Sequence, residues 1–210
     1  MTTLKILGKA ASINVRKVLW TCAELGLDFE REDWGAGFAD PQRPEFLTLN
    51  PNALVPVLVD GDFVLWESNT ICRYLVNREG RSDLLPATPR ERARVEQWMD
   101  WQAGEFNNAW RYAFMGLVRQ SPAHQDPTLL AAGVAGWHRH AAILARQLDA
   151  TGAYAAGAGF TLADVLLGLA VHRWRAAPLP GRPALPALDR YIERLAGRPG
   201  FVQFGLDGGP

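Results

Sequence analysis

The sequence predicts two domains of different class: an α/β domain over residues 1–80 and an all-α domain over residues 90–210, joined by a linker at 81–89. Three observations carry this. Short apolar runs alternate with helical stripes only before the linker. An Asp-Gly pair separates the apolar runs Val55–Val59 and Phe63–Leu65, which is how a β-hairpin reads. From Pro89 onward the strand-like runs stop and long helical periodicities replace them.

The elements follow in order. Leu4 to Leu7 is an apolar run stopped by Gly8, a first strand. Val15, Val18, Leu19, Cys22 and Leu25 recur at helical spacing until Gly26 stops them. Phe29 to Trp34 reads as a second strand, and Pro44 to Leu49 as a short helix ended by Asn50-Pro51. The hairpin comes next, then a helix carrying Ile71, Cys72, Leu75 and Val76 that closes near Gly80. A crossover helix makes the first two strands parallel, while the hairpin is antiparallel. The order β-α-β-α-β-β-α is that of a thioredoxin-like domain.

In the second part, Thr88, Pro89 and Glu91 open a helix that runs to about Arg119, where Ser121-Pro122 breaks it. Asp126-Pro127 opens another, to about Ala150. Thr161 and Asp164, flanked by Phe160 and Val165, read as a capping box with a hydrophobic staple for a helix ending near Ala176. Prolines 178, 180, 183 and 186 stiffen the connection to a last helix over Ala187 to Ala196.

Composition excludes several classes of function. The 22 basic and 22 acidic residues cancel, and neither half of the chain is basic enough to track a phosphate backbone, so no nucleic-acid partner is expected. No apolar run has membrane length, and the N-terminus lacks a signal-peptide pattern. Two cysteines, Cys22 and Cys72, make neither a disulfide framework nor a four-ligand zinc site. His138 and His140 stand two apart and read as exposed helix histidines, so no metal is expected. The expectation is a soluble, reduced, cytoplasmic protein.

Three segments offer chemistry. The loop Gly8–Val15 has no cysteine, which excludes disulfide exchange there. It does hold Ser12 and Asn14 at a helix start. One cap is needed and two candidates are present, which leaves a spare polar group where the helix dipole favours an anion. The second segment is Asn50 to Val57. From the residues alone, Pro56 is an ordinary trans proline at a strand start; a cis Val55-Pro56 bond would instead turn Val55's N–H and C=O outward, toward an extended peptide. The third is Glu67-Ser68, where Ser68 caps the third helix and its N-terminus suits a carboxylate. With Glu67 to receive an ammonium, the pair suits an amino-acid zwitterion.

Ser12-x-Asn14-Val-x-Lys-Val, then Asn50-Pro-x-x-x-Val55-Pro56, then Asp60-Gly-x-x-Leu-x-Glu67-Ser68-x-x-Ile-x-x-Tyr-Leu, and finally Phe160-Thr-Leu-Ala-Asp164 resemble, in order and across nearly the whole chain, the cytosolic glutathione S-transferases. The Ser-x-Asn start is most similar to a bacterial subgroup. The resemblance implies the glutathione S-transferase fold, a homodimer, and glutathione as co-substrate. It implies a cis proline at Pro56, with Val55 pairing the cysteinyl backbone and Glu67 and Ser68 holding the γ-glutamyl end. It places the thiolate beside Ser12, with Asn14 close, as the catalytic pair. A free thiol with a pKa near ~8.5 is only about 3% ionised at neutral pH, and a ~2-unit drop, making most of it thiolate, takes ~2.7 kcal/mol of selective stabilisation. The electrophile is expected between the domains. There the long-helix stripe Asp100, Gly104, Asn107, Arg111 and Phe114 supplies Arg111 and Phe114 as substrate-binding residues, while Val95, Met99, Phe106, Trp110 and Leu117 form core.

Two departures stand out. Many family members carry Lys, Arg or Gln before the Val-Pro pair, but here it is Leu54, so a cation for the glycine carboxylate must come from elsewhere, with Lys9 and Arg43 as candidates. Ala11 rules out the catalytic cysteine of thiol-transferring members. Two competing readings remain, a non-catalytic binding protein on the same fold and a glutathione-dependent peroxidase.

Overall fold

The computed structural model describes residues 3–206. Among the described residues the backbone divides into two compact units, residues 3–85 together with 199–206, and residues 86–198.

In the first unit the strands are β1 (Leu4–Leu7), β2 (Phe29–Glu32), β3 (Val57–Asp60) and β4 (Phe63–Trp66), in the sheet order β2-β1-β3-β4. β1 and β2 are parallel across helix α1 (Ile13–Leu25), and β1–β3 and β3–β4 are antiparallel. The strands of this thioredoxin-like arrangement sit where the apolar runs put them. Gly26 ends α1 in the left-handed conformation that glycine adopts without a Cβ penalty. The short helix α2 (Pro44–Leu47) supplies Phe46 to a core cluster with Leu7, Trp34 and Val57. Helix α3 (Ser68–Arg78) packs Ile71, Cys72, Leu75 and Val76 toward α1.

Both cysteines lie in these packed faces. Burial pushes the Cys22 thiol up to about 12 and the Cys72 thiol up to about 11. An alkylating reagent at about pH 8 is therefore expected to leave both unmodified in the folded protein and to label both in denaturant, as counted by mass spectrometry. Labelling of the native chain at a free thiol's rate would mean that this helix pair opens. The unfolded chain releases these protons near the ordinary value of 9.0, the folded chain only near 11 to 12. The two thiols thus withdraw stability only as the pH climbs through that window.

Residues 81–85, expected in the linker, pack in the first unit. Arg81 donates to the Glu24 carbonyl at 3.0 Å, and Leu84 and Leu85 are buried. Residues 199–206, expected with the helical domain, also belong there. Helix α9 (Pro199–Phe201) and a π-helical turn (Val202–Leu206) lie on α1. Trp20 stacks on Phe201 at 5.0 Å, and the Arg16 guanidinium, 3% exposed, donates to the Phe204 and Gly205 carbonyls.

The second unit is helical: α4 (Pro89–Trp101), α5 (Asn107–Ala113), α6 (Pro127–Thr151), α7 (Leu162–Ala176) and α8 (Pro186–Ala196). Asp126 caps α6 by accepting the Leu129 N–H at 2.9 Å. α7 is buried along most of its length, and its start is fixed by Asp164. That carboxylate accepts the N–H and hydroxyl of Thr161 (2.8 and 3.0 Å), the Ala155 N–H (3.0 Å) and the Tyr191 hydroxyl (2.9 Å). Burial pushes the Asp164 carboxyl above its ordinary range, against the pull of these donors.

The long helix read over 89–119 is not uniform. π-helical turns at Gln102–Phe106 and Phe114–Val118 interrupt it. At the first, buried Gln102 donates to the Asn107 side chain at 2.9 Å, as does the Trp110 indole at 3.2 Å. His140 is buried rather than exposed, its Nδ1 at 2.8 Å from the Gly136 carbonyl. Among the described residues no helix is long and apolar enough to cross a membrane, and no cluster of three His, Cys, Asp or Glu is arranged to hold a metal.

Candidate active site

Two chain segments far apart in sequence meet because Gly8 has no side chain. Its φ is +148°, and a Cβ there would fall 2.5 Å from a Val15 methyl and 3.1 Å from the Val55 Cβ. The loop leading to α1 thereby lies against the Val55–Pro56 segment.

Ser12 is the N-cap residue of α1, with extended backbone, and its hydroxyl makes no cap hydrogen bond. Among the described residues neither the Ser12 hydroxyl nor the Asn14 amide has a side-chain partner, and both residues are half-buried. Both polar groups are left over at the positive end of a 13-residue helix, where the expectation was one.

The Val55–Pro56 bond is cis. Val55's side chain packs on the Leu7, Trp34, Phe46 and Val57 cluster. The β1–β3 ladder ends at Leu7–Val57, and among the described residues the Val55 N–H and C=O bond to no other backbone. An edge residue with both groups open can pair with an extended peptide. What holds the segment is Asn50, 2% exposed. Its amide donates to the Leu54 carbonyl at 2.7 Å, and its side-chain oxygen accepts the Asn52 N–H at 3.0 Å. The sequence reading used Asn50 as a helix stop and as the start of the Asn-Pro motif and gave its side chain no part, so this role was missed. Asn50→Ala removes both bonds. It is expected to weaken binding of an extended peptide at Val55 about tenfold, measured by calorimetry, with an undiminished Kd showing that the segment holds its shape without the amide.

Ser68 does not cap α3, a correction to the expectation. It is the first residue of the helix, and Glu67 occupies the cap position with φ 73° and ψ 105°. A glutamate there is strained, and such backbone persists where its surroundings fix it, characteristically beside a binding site. The Glu67 side chain is exposed, and no group among the described residues bonds to its carboxylate. Ser68 is buried, and among the described residues its hydroxyl likewise has no hydrogen-bond partner. A second missed residue, Lys17, is buried one turn below Asn14. Its ammonium donates to the Asn69 side chain at 3.2 Å, which puts a desolvated cation beside the start of α3.

Asn14, Val55, Pro56, Glu67 and Ser68 line one cleft, with Asn50 and Leu54 completing it. It encloses about 50 Å³, the room of one or two water molecules, so a peptide would lie along it rather than inside it. Ser12 stands at the helix cap outside this lining. Of the two cation candidates, Lys9 donates to the Ala36 carbonyl at 2.9 Å, and Arg43 sits 3.9 Å from Glu45.

The helical unit separates the remaining pair. Arg111 is exposed, but Phe114 is 5% exposed and lies under the Arg173 guanidinium, 4.4 Å from the ring centroid. A continuous 3.6-residue stripe does not exist here, because the π turns shift the face and turn Asn107 toward Gln102 and Trp110.

Residues 2–77 match the family described as "Glutathione S-transferase, N-terminal domain", and residues 127–194 match "Glutathione S-transferase, C-terminal domain". Glutathione S-transferase GstB of Escherichia coli (strain K12) is 36% identical over 194 residues, 91% of this chain and 92% of that one. Glutathione S-transferase 3 of Zea mays is 38% identical over 214 residues, covering 96% and 92%. Among solved structures, the glutathione-bound theta class glutathione S-transferase from Xanthomonas axonopodis pv. citri superposes with a TM-score of 0.88 at 36% identity, covering 99% of both chains. The chain belongs to the glutathione S-transferase family.

Proposed function

We propose that this protein is a glutathione S-transferase of the bacterial subgroup marked by Ser12-x-Asn14, acting in the cytoplasm as a homodimer. The observation that carries the reading is the single cleft joining Val55's open backbone, the unpaired Glu67 and Ser68, and Asn14. Each group matches one part of glutathione. The Glu67 carboxylate suits the γ-glutamyl ammonium, and the α3 start with the Ser68 hydroxyl suits its carboxylate. Val55 pairs with the cysteinyl backbone. The sulfur then meets the positive end of α1, where Ser12 and Asn14 offer hydrogen bonds that favour the thiolate.

The reaction follows from that thiolate. Its electron pair forms a carbon–sulfur bond with an electrophilic carbon. The bond to the leaving group breaks with its pair, and the thiol proton goes to solvent. Enriching the thiolate gains at most roughly thirtyfold, and a less basic sulfur is a weaker nucleophile, so the remaining acceleration comes from positioning the electrophile. On the helical domain, exposed Arg111 is assigned to an electrophile's polar group, with Phe114, held under Arg173, backing that surface. The dimer reading is supported by β4, a sheet edge that exposes Phe63 and Trp66.

The test is calorimetric titration with glutathione, followed by initial rates with a haloaromatic and with a hydroperoxide. Saturable binding and haloaromatic conjugation are expected. Absence of binding at millimolar glutathione would remove the assignment, and peroxide turnover without conjugation would move the protein to the peroxidase reading.

A further inference from the structure

We infer that the electrophile face of the helical unit is built for a negatively charged aromatic substrate, and that Arg119, beside Arg111, is the residue that selects it. This names the substrate class of the conjugation proposed above and rests on that reading.

The second π turn sets the geometry. In an unbroken α-helix, residues three and four apart share a face, and the fifth is carried past it. Between Phe114 and Val118 the helix admits an extra residue, so the Arg119 N–H donates to the Phe114 carbonyl, five residues back, at 3.1 Å. The Arg119 guanidinium thereby returns over the Phe114 ring, 5.3 Å from its centroid. Arg173, buried on α7, approaches the same ring to 4.4 Å and the Trp110 ring to 5.0 Å. Two guanidiniums distant in sequence thus share one ring, and a third, Arg111, stands about one turn before it.

Folding alone does not account for this arrangement. A basic residue at a helix end ordinarily bonds the last carbonyls, but among the described residues the Arg119 guanidinium donates to none. Neither Arg111 nor Arg119 pairs with a carboxylate among those residues, and both are exposed. Like charges gathered on one ring repel, and burial leaves Arg173 less screened than a surface cation. This end of the helix therefore presents a positive potential that a carboxylate or sulfonate would offset. An aromatic electrophile also brings a ring on which a planar guanidinium stacks. A charge remote from the attacked carbon is bound equally in the ground and transition states, so it lowers KM and leaves kcat as it was.

The experiment measures glutathione conjugation of a nitro-activated fluorobenzoate and of its methyl ester, in the wild type, Arg119→Gln and Arg119→Lys. The thiolate displaces fluoride from either compound, a carbon–sulfur bond forming as the carbon–fluorine bond breaks with its electron pair. Arg119→Gln is expected to raise KM for the carboxylate about two- to fivefold, the worth of one exposed ion pair, with kcat unchanged. KM for the ester should stay within about twofold, and Arg119→Lys should bring the carboxylate's KM back to within about twofold of wild type. In the wild type, salt added to about 0.5 M should raise the carboxylate's KM and leave the ester's in place. An equal rise for both compounds in Arg119→Gln would show that Arg119 shapes the helix end only, and would overturn the inference. So would an unchanged KM for both, which would put the anion elsewhere. A wild type that binds glutathione but conjugates neither compound would instead bring down the conjugation reading, and this inference with it, an outcome distinct from the other two.

Discussion

Replacing Ser12 with alanine is expected to raise the pKa of bound glutathione by about one to two units and to lower conjugation at neutral pH about ten- to thirtyfold, without unfolding the protein. Removing a serine N-cap ordinarily costs about 1 kcal/mol, because the hydroxyl satisfies an orphan backbone N–H. Here the hydroxyl makes no such bond, so its loss leaves the helix start as it was. The two readouts therefore separate. The ultraviolet thiolate absorbance of the complex should titrate at higher pH, while the melting temperature stays put. The sign is fixed by the chemistry. A lowered thiol pKa helps only below the free value, so the deficit is largest in mildly acidic solution and closes as the pH passes about 8.5. An unshifted titration would assign the sulfur to Asn14 and the helix end.

The second large effect belongs to stability. Asp164→Ala is expected to destabilise the protein by about 3–5 kcal/mol, enough to lower its melting temperature by roughly 10 °C. The carboxylate is fully buried and accepts four hydrogen bonds, two from backbone N–H groups of Ala155 and Thr161. Alanine strands those donors in the interior and leaves the Tyr191 hydroxyl without this partner. Asp164→Asn keeps the shape but turns an amide NH2 toward groups that also donate, and should fall between alanine and wild type. A scanning calorimetry trace for the alanine variant within about 2 °C of wild type would show that water satisfies the site instead.

Much of this was open to reading because it is local. The Asp60-Gly61 turn fixes β3 and β4, Gly26 ends α1, and Thr161 with Asp164 marks the start of α7, each through neighbours within four residues. The cleft residues were legible for a related reason. Asn14, Val55, Pro56, Glu67 and Ser68 lie in short ordered motifs at element ends, and those ends converge.

What escaped depends on distant packing. Glutamate has no preference for positive φ, so nothing in Glu67 itself announces its backbone. Asn50 reveals its role only once residues 52 and 54 have turned back on it. The π turns need a buried Gln102 to reach Asn107, and a periodicity count assumes that no residue is inserted. His140 looked exposed because its burial comes from Trp101 and Phe106 stacking against it.

Arg16 and Trp20 gave no hint that their partners lie more than 180 residues away. That closure imposes an order of events during synthesis. The sheet and its helices emerge from the ribosome early, yet the surface of α1 that accepts Phe201 stays bare until the helical segment between them has been made as well. An interval of exposed tryptophan follows, during which a nascent-chain chaperone has something to hold, and a premature stop anywhere in the helical half would leave the first domain unfinished as well as the second.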